Sequence, residues 1–344
     1  MSQHHEAYLT QRRAVLALLA LLLALLLAVL IALALGPETI APRLIVNSFV
    51  AKFFGSPSPL SPEHTSILFQ LRLPRIGLAL AVGAALALAG AAFQALLRNP
   101  LADPHVLGIS SGAALGAIGG IVFAQLLALN PWLSRSLCGF AGALLTSAVV
   151  YRLGRREDDP ARLVLAGVIV SVFLSSLNVL TLALVDDVRL RSITLWLLGD
   201  LASAPPAGLW FVAGAVALGL VVLTTQARAL NLLMIGERDA FALGVETARV
   251  RWLVFAAASL LTGAAVATCG SIGYVGLLTP HLVRLALGAD NRLVLPASAL
   301  AGALLALFAD TIARTAIAPT ELPTGAITAL LGAPMFIYLL LRNR

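Results

Sequence analysis

Uncharged, mainly apolar runs dominate the chain and predict helices that cross a membrane. Asp, Glu, Lys and Arg are absent from residues 14–37, 76–97, 104–134, 136–151, 163–185, 201–227, 252–283, 293–309 and 322–341. A spanning α-helix needs about 20 such residues, so most runs predict one helix each. Residues 252–289 are interrupted only by Arg284 and contain a glycine-rich break at 270–276, which predicts two helices, the second one short. The pattern predicts an all-α polytopic membrane protein with about ten spans.

The positions of the basic residues predict the orientation of these spans. With an even number of spans and a cytoplasmic N-terminus, 15 of the 23 Lys and Arg residues fall on the cytoplasmic side. Cytoplasmic loops carry such an excess, so both termini are predicted to be cytoplasmic. Residues 1–344 are predicted to form a single membrane domain. Its parts are a tail at 1–13, a first helix at 14–36, a periplasmic loop at 37–71 and the remaining helices at 72–344.

The first apolar run allows a second interpretation. Arg12 and Arg13, the leucine-rich stretch and Ala32-Leu33-Ala34 are similar to a cleaved signal peptide. The run is longer than the 7–15 apolar residues of such a peptide, which favours a retained helix. The segment at 37–71 holds five prolines, and we predict a loop with little helix there.

Composition narrows the class of protein. Hydrophobic residues make up 60% of the 344 residues and charged residues 11%, which excludes a disordered chain and an ordinary soluble enzyme. The net charge of +7 is explained by cytoplasmic arginines, with no need for nucleic acid. Lys52 is the only lysine and precedes Phe53, so the chain has no P-loop and is no ATPase. The two cysteines lack metal-ligand spacing, and no cofactor or metal is predicted.

A polar stripe is predicted on the fifth span. Ser171, Ser175 and Asn178 are spaced to share one helical face. The stripe could line a wet path, or the serines could bond to their own helix and pack against neighbours. Both interpretations stay open from the sequence.

Charged residues near the predicted outer ends also have two interpretations. Asp310 and Arg314 are spaced to pair on one helix, either as an interfacial ion pair or as a site that couples ions to transport. Arg72 and Arg75 flank the mouth of the second span, where they could reach lipid headgroups or the carboxylates of a docking protein.

Near 237–245, charged and apolar residues ending in Gly244 predict a short helix that meets a partner.

An ordered set of motifs resembles one family. The motifs are Leu71-Arg72-Leu73-Pro74-Arg75, Gln94 to Pro104 with Leu107-Gly108, Gly236-Glu237 with Ala240 to Gly244, Gly273 to Leu277 with Pro280-His281, Glu321 to Gly325, and Leu331 to Pro334. Together they closely resemble the FecCD-type permeases of bacterial ABC importers for iron chelates, haem and vitamin B12. The resemblance covers the chain from about residue 66 to its end.

The resemblance implies an architecture and a set of partners. It implies a ten-helix subunit like the vitamin B12 permease, with cytoplasmic termini, in the bacterial inner membrane. It also implies a second permease chain, two ATP-binding subunits and a periplasmic substrate-binding protein. By position, it implies ATPase coupling by Ala240, Leu243 and Gly244, binding-protein docking by Arg72, Arg75 and Arg314, and a cytoplasmic gate at Asn99 and Leu101. Asp158-Asp159-Pro160 departs from some relatives, so no gate residue is named there.

The expected function is therefore transport by alternating access, with ATP hydrolysed by a separate subunit. Ferric siderophore is the first expectation for the cargo, followed by haem and cobalamin. The main alternative is an ion-coupled secondary transporter that uses Asp310. A structural membrane subunit without a path and a zinc or manganese permease are further alternatives.

Overall fold

A computed structural model describes residues 11–122, 130–154, 160–202 and 204–342. Every regular element among these residues is helical. Fifteen α-helices follow one another as α1 (Gln11–Ala34), α2 (Pro42–Phe53), α3 (Pro62–Ser66), α4 (Leu73–Leu96), α5 (Ile109–Val122), α6 (Pro131–Gly154), α7 (Pro160–Leu184), α8 (Asp187–Leu197), α9 (Pro206–Thr225), α10 (Ala227–Ile235), α11 (Glu237–Ala242), α12 (Thr247–Cys269), α13 (Val275–Leu287), α14 (Asn291–Thr315) and α15 (Thr324–Arg342).

Seven of these segments are long and apolar enough to cross a membrane. Three shorter apolar helices lie at Ile109–Val122, Val275–Leu287 and Thr324–Leu339. The all-helical prediction is therefore confirmed for the described residues. The count of ten spans and the side on which each terminus lies remain predictions.

Helix α4 forms the centre of the bundle. It contacts α9, α12, α13 and α14, and nearly every residue from Leu78 to Leu96 is buried. Its sequence alternates alanine, glycine and leucine, so small residues occur on all of its faces. Small residues allow helix backbones to approach closely. At Gly83 the backbone of α14 lies so close that an added Cβ would overlap the carbonyl of Gly302.

The predicted break at 270–276 is confirmed. Helix α12 ends at Cys269, and Gly270 follows with a positive φ of 75°. Tyr274 then adopts the left-handed conformation, and α13 begins at Val275. The backbone here is irregular, and two of its carbonyl groups have partners elsewhere in the protein: Asp200 donates its N–H to the Cys269 carbonyl over 2.8 Å, and His105 Nε2 lies 3.2 Å from the Ile272 carbonyl. Such pairing is what permits irregular backbone inside a membrane protein.

The prediction of little helix at 37–71 was wrong. Helices α2 and α3 lie there, and a π-helical turn, Ile67–Arg72, leads directly into α4. Pro42 and Pro62 are each the first residue of their helix, where the missing N–H has no intrahelical partner to lose. Ser61 also caps α3 by accepting a hydrogen bond from the N–H of His64. These prolines therefore start helices.

Candidate functional site

An ionic cluster lies at the end of the bundle where α4 begins and α14 ends. Asp310 is completely buried and receives Arg75 Nε at 2.9 Å on its Oδ1. Its Oδ2 lies 3.5 Å from Arg314 Nε, so one carboxylate faces two guanidinium groups. Arg75 also binds Glu321 Oε2 over 2.8 Å, and that glutamate is 42% exposed. The cluster therefore connects α4, α14 and the segment before α15.

The sequence predicted only part of this cluster. The spacing of Asp310 and Arg314 identified their pair on α14. Arg75 is 235 residues away along the chain, and no local pattern could assign it to Asp310. Asp310 is also more deeply buried than the carboxylate of an ion pair at a membrane interface would be, since no part of its side chain is exposed.

Arg72 and Arg314 turn their guanidinium groups toward the last turn of α1. Arg72 Nη1 donates to the carbonyl of Leu33 over 2.6 Å, and its Nη2 donates to the carbonyl of Glu38. Arg314 Nη2 donates to the carbonyl of Ala32 over 2.5 Å. The last carbonyls of a helix lack intrahelical partners and carry partial negative charge, which cations stabilise. In this conformation both arginines tie α1 to the bundle.

We predict that Arg72→Gln loosens this tie without unfolding the bundle. The shorter neutral amide cannot reach both carbonyl groups, and a charge-assisted hydrogen bond contributes about 1.5–3 kcal/mol. Amide hydrogen exchange at residues 35–40 should therefore become about tenfold faster or more. Arg189→Gln is the control, because that side chain is 42% exposed and pairs only with Asp186 among the described residues. Unchanged exchange in Arg72→Gln would contradict the prediction.

A cavity of about 610 Å³ opens beside the ionic cluster. Apolar and proline residues of the π-helical turn and of the α8–α9 connection form part of its wall. Its charged lining residues are Glu38, Arg72, Arg75, Arg314 and Glu321. The three arginines predicted to meet a docking protein thus line one cavity. The docking role itself stays a prediction.

The polar stripe of α7 is on one face, as predicted, and it contacts α5. Ser171 and Ser175 each place their hydroxyl oxygen 3.2 Å from the hydroxyl oxygen of Ser111. Asn178 donates from Nδ2 to the Ser111 carbonyl over 3.2 Å, and its own Oδ1 is buried without a protein partner. Sequence reasoning missed Ser111, whose only signal was a hydroxyl in an apolar helix. A role of Ser171, Ser175 and Asn178 in a transport path stays a prediction.

The loop after α4 is shaped by side-chain hydrogen bonds. Asn99 Oδ1 accepts the N–H of Leu101 over 2.9 Å, and the Leu101 side chain is exposed. His105 lies 3.2 Å from the Ile272 carbonyl through Nε2 and 3.4 Å from Ser271 Oγ through Nδ1. The loop is therefore fixed to the break between α12 and α13. Asn99 and Leu101 remain predicted gate residues.

The short helix predicted near 237–245 is confirmed as α11. Its next turn closes at Gly244, which has a φ of +84°. Ala240 is completely buried, whereas 65% of Leu243 is exposed. An ion pair between Glu237 and Arg251 holds α11 against α12. Helix α11 and the turn after it thus expose Phe241 and Leu243 beside the charged Arg238 and Asp239, at the end of the bundle opposite the ionic cluster.

The segment before α7 contains the departure from the family motif. Asp158 and Asp159 lie outside the described residues, and Pro160 is the first residue of α7. No gate residue is assigned there.

Comparison with known proteins gives matches over most of the chain. The profile of the FecCD transport family matches residues 23–342. The hemin transport system permease protein HmuU of Yersinia pestis is 43% identical over 283 residues, which cover 81% of this chain and 84% of HmuU. The vitamin B12 import system permease protein BtuC of Salmonella typhimurium is 39% identical over 284 residues, covering 83% of this chain and 86% of BtuC.

A solved structure is similar along almost the whole chain. It is an inward-facing conformation of a protein assigned to the metal-chelate type of ABC transporter. The TM-score is 0.83 at 34% sequence identity, and the match covers 94% of this chain and 98% of the other.

Proposed function

Since the chain belongs to the FecCD transport family and is a permease of the ABC importers for metal chelates, haem or vitamin B12, we propose that its cargo is an iron chelate. Ferric siderophore is our first proposal, with haem and cobalamin as the alternatives. The single observation that supports the mechanism is the separation of two surfaces at opposite ends of α4. A charged cavity lies at one end, and the surface of α11 with the exposed Phe241 and Leu243 lies at the other.

We propose an orientation from these surfaces and from the distribution of arginines. The termini, the loop after α4 and α11 face the cytoplasm, and the charged cavity faces the periplasm of the inner membrane. Ten spans follow if the seven long segments and the three shorter apolar helices all cross. A second permease chain, two ATP-binding subunits and a periplasmic substrate-binding protein complete the importer.

Each end has a role in the proposed cycle. A loaded binding protein docks at the cavity that Arg72, Arg75 and Arg314 line, where its carboxylates compete with Glu321 for Arg75 and with backbone carbonyls for the buried Arg72 and Arg314. ATP binding in the partner subunits moves α11 through Ala240, Leu243 and Gly244, and the movement opens the gate at Asn99 and Leu101. The cargo passes the stripe of Ser171, Ser175 and Asn178, whose neutral hydroxyl and amide groups bond to Ser111 in this structure and exchange those bonds for weak ones to a polar chelate. Weak binding allows the cargo to leave again.

The decisive measurement is uptake into proteoliposomes that contain this chain, its ATP-binding subunit and its binding protein. Labelled ferric siderophore, haem and cobalamin are offered separately. ATP is supplied in the compartment that the ATP-binding subunits face. We expect ATP-dependent accumulation of ferric siderophore. Accumulation of haem or cobalamin alone would overturn the proposed cargo. Accumulation driven by a proton or sodium gradient without ATP would overturn the mechanism and favour ion coupling through Asp310.

The same assay tests the surface of α11. Leu243→Asp places a charge on an exposed apolar position, so the bundle should fold while the contact with the ATP-binding subunit weakens. We expect ATP-driven uptake to fall about tenfold. Ala289→Asp, at an exposed position between α13 and α14 at the same end, is the control. Equal uptake by the two variants would contradict the proposed contact.

A further inference from the structure

A groove between α6 and α12 is used by none of the surfaces described above. Its volume is about 450 Å³. Small and apolar side chains form most of it, and two aromatic residues and an arginine, Tyr151, Trp252 and Arg152, lie at one end. The lining residues are Leu144, Ser147, Ala148, Tyr151, Arg152, Trp252, Phe255, Ala256, Ser259 and Leu260.

The groove has a direction along the helices. Arg152 is two residues before the end of α6, and Trp252 is in the second turn of α12, so both lie near one end of the bundle. Leu144 and Leu260 are each eight residues deeper, which corresponds to about 12 Å along the helix axis. One leaflet of the hydrocarbon core is about 15 Å thick. The groove therefore matches the depth of a single leaflet.

The surroundings of the groove are those of a lipid-facing surface. Leu145, Val149 and Leu153 of α6 are exposed beside it, and Trp252 is also exposed. Tryptophan is enriched where a membrane meets water. An occupant that enters from this side has an apolar part between the helices and a polar part at the level of Trp252.

The charge at the mouth selects the headgroup. Arg152 is exposed, and no carboxylate of the described ranges pairs with it. The neighbouring arginines of α12 differ, because Arg249 pairs with Glu246 and Arg251 pairs with Glu237. Basic pockets between transmembrane helices on the cytoplasmic side bind anionic lipid headgroups.

We propose that this groove is a binding site for an anionic phospholipid of the cytoplasmic leaflet. One acyl chain lies between α6 and α12, and the phosphate is held by Arg152. The assignment to this leaflet rests on the proposed orientation of the permease. The site is distinct from the cargo path, because its groove opens on α6 and α12 and not on the stripe of α7.

The test is native mass spectrometry of the purified permease after exchange into phosphatidylglycerol and, separately, phosphatidylcholine. We expect phosphatidylglycerol to be retained in preference to phosphatidylcholine. Arg152→Gln should weaken that retention about fivefold, because one arginine near the surface contributes about that factor. Arg228→Gln, an exposed arginine at the start of α10, is the control and should retain lipid normally.

A second variant and a second measurement separate the groove from surface charge. Ala256→Phe fills the groove, and quenching of Trp252 fluorescence by phosphatidylglycerol with brominated acyl chains should then be lost. Equal retention of both lipids, or equal loss in Arg152→Gln and Arg228→Gln, would overturn the proposal. If Ala256→Phe alters assembly with the other subunits and leaves quenching unchanged, a protein covers the groove and the proposal is wrong. None of these outcomes depends on which cargo is transported.

Discussion

Replacing Asp310 with asparagine is expected to lower the free energy of unfolding by about 3–5 kcal/mol. The buried carboxylate is the shared partner of Arg75 and Arg314. Its loss leaves Arg314 without a carboxylate and Arg75 with only Glu321, among the described residues. Removing one partner from a buried ionic group is costly because the remaining charge stays away from water. The midpoint of unfolding in detergent, followed by tryptophan fluorescence, measures the change.

Glu321→Gln is the matched control for this variant. Glu321 binds the same arginine, but it is 42% exposed and contributes about 0–1 kcal/mol as an exposed ion pair. The two variants should therefore differ by several kcal/mol. Equal shifts in the two unfolding midpoints would show that the burial of Asp310 does not determine the loss of stability. If Asp310→Asn abolished a gradient-driven uptake and left stability unchanged, Asp310 would instead be an ion-coupling residue.

Gly90→Ala is expected to destabilise the bundle by about 3 kcal/mol. A Cβ at Gly90 would overlap the carbonyl oxygen of Gly276 at the start of α13. The two backbones cannot separate locally, because Gln94 Nε2 donates to the Leu277 carbonyl over 3.0 Å and Arg284 Nη2 donates to the Ala91 carbonyl over 3.2 Å. Forcing extra atoms into a close-packed contact typically costs about 1–3 kcal/mol, and a backbone contact is at the upper end.

Gly214→Ala makes the same change of side chain but is not expected to lower the stability. Gly214 is inside α9, and no atom lies within 4 Å of an added Cβ. Alanine is favoured over glycine in a helix by about 0.5–1 kcal/mol, so this variant should be as stable as the original or more so. The unfolding midpoints of the two variants should move in opposite directions. A shift of the same sign and size would contradict the close contact of α4 and α13.

Much of the fold follows from the pattern of charge along the chain. Uncharged runs predicted the long helices because a membrane core excludes charged side chains and requires backbone hydrogen bonds within each segment. The glycine-rich break at 270–276 was also predictable, because positive φ at Gly270 favours glycine. The prediction for residues 37–71 failed because proline was interpreted as a helix breaker. Pro42 and Pro62 are instead the first residues of their helices.

The candidate site was less predictable, because its contacts join distant parts of the chain. Periodicity placed Ser171, Ser175 and Asn178 on one face, but it could not identify Ser111 of α5 as their partner. The motif at Arg72 suggested a surface charge. The structure instead directs that guanidinium toward the last turn of α1, which lies 39 residues earlier. A single sequence carries no signal for such pairings.

The close backbone contacts of α4 limit how the permease can change shape. Gly83 meets α14 and Gly90 meets α13 with no side chain between the backbones, and such interlocked surfaces resist sliding. Helix α7 is largely exposed. It contacts α5 through three side-chain hydrogen bonds with Ser111, and Gly167 of α7 approaches the backbone of Leu107 just before α5. We therefore predict that α4, α13 and α14 move as one unit when the permease opens and closes, and that the more exposed α7 changes its position relative to them.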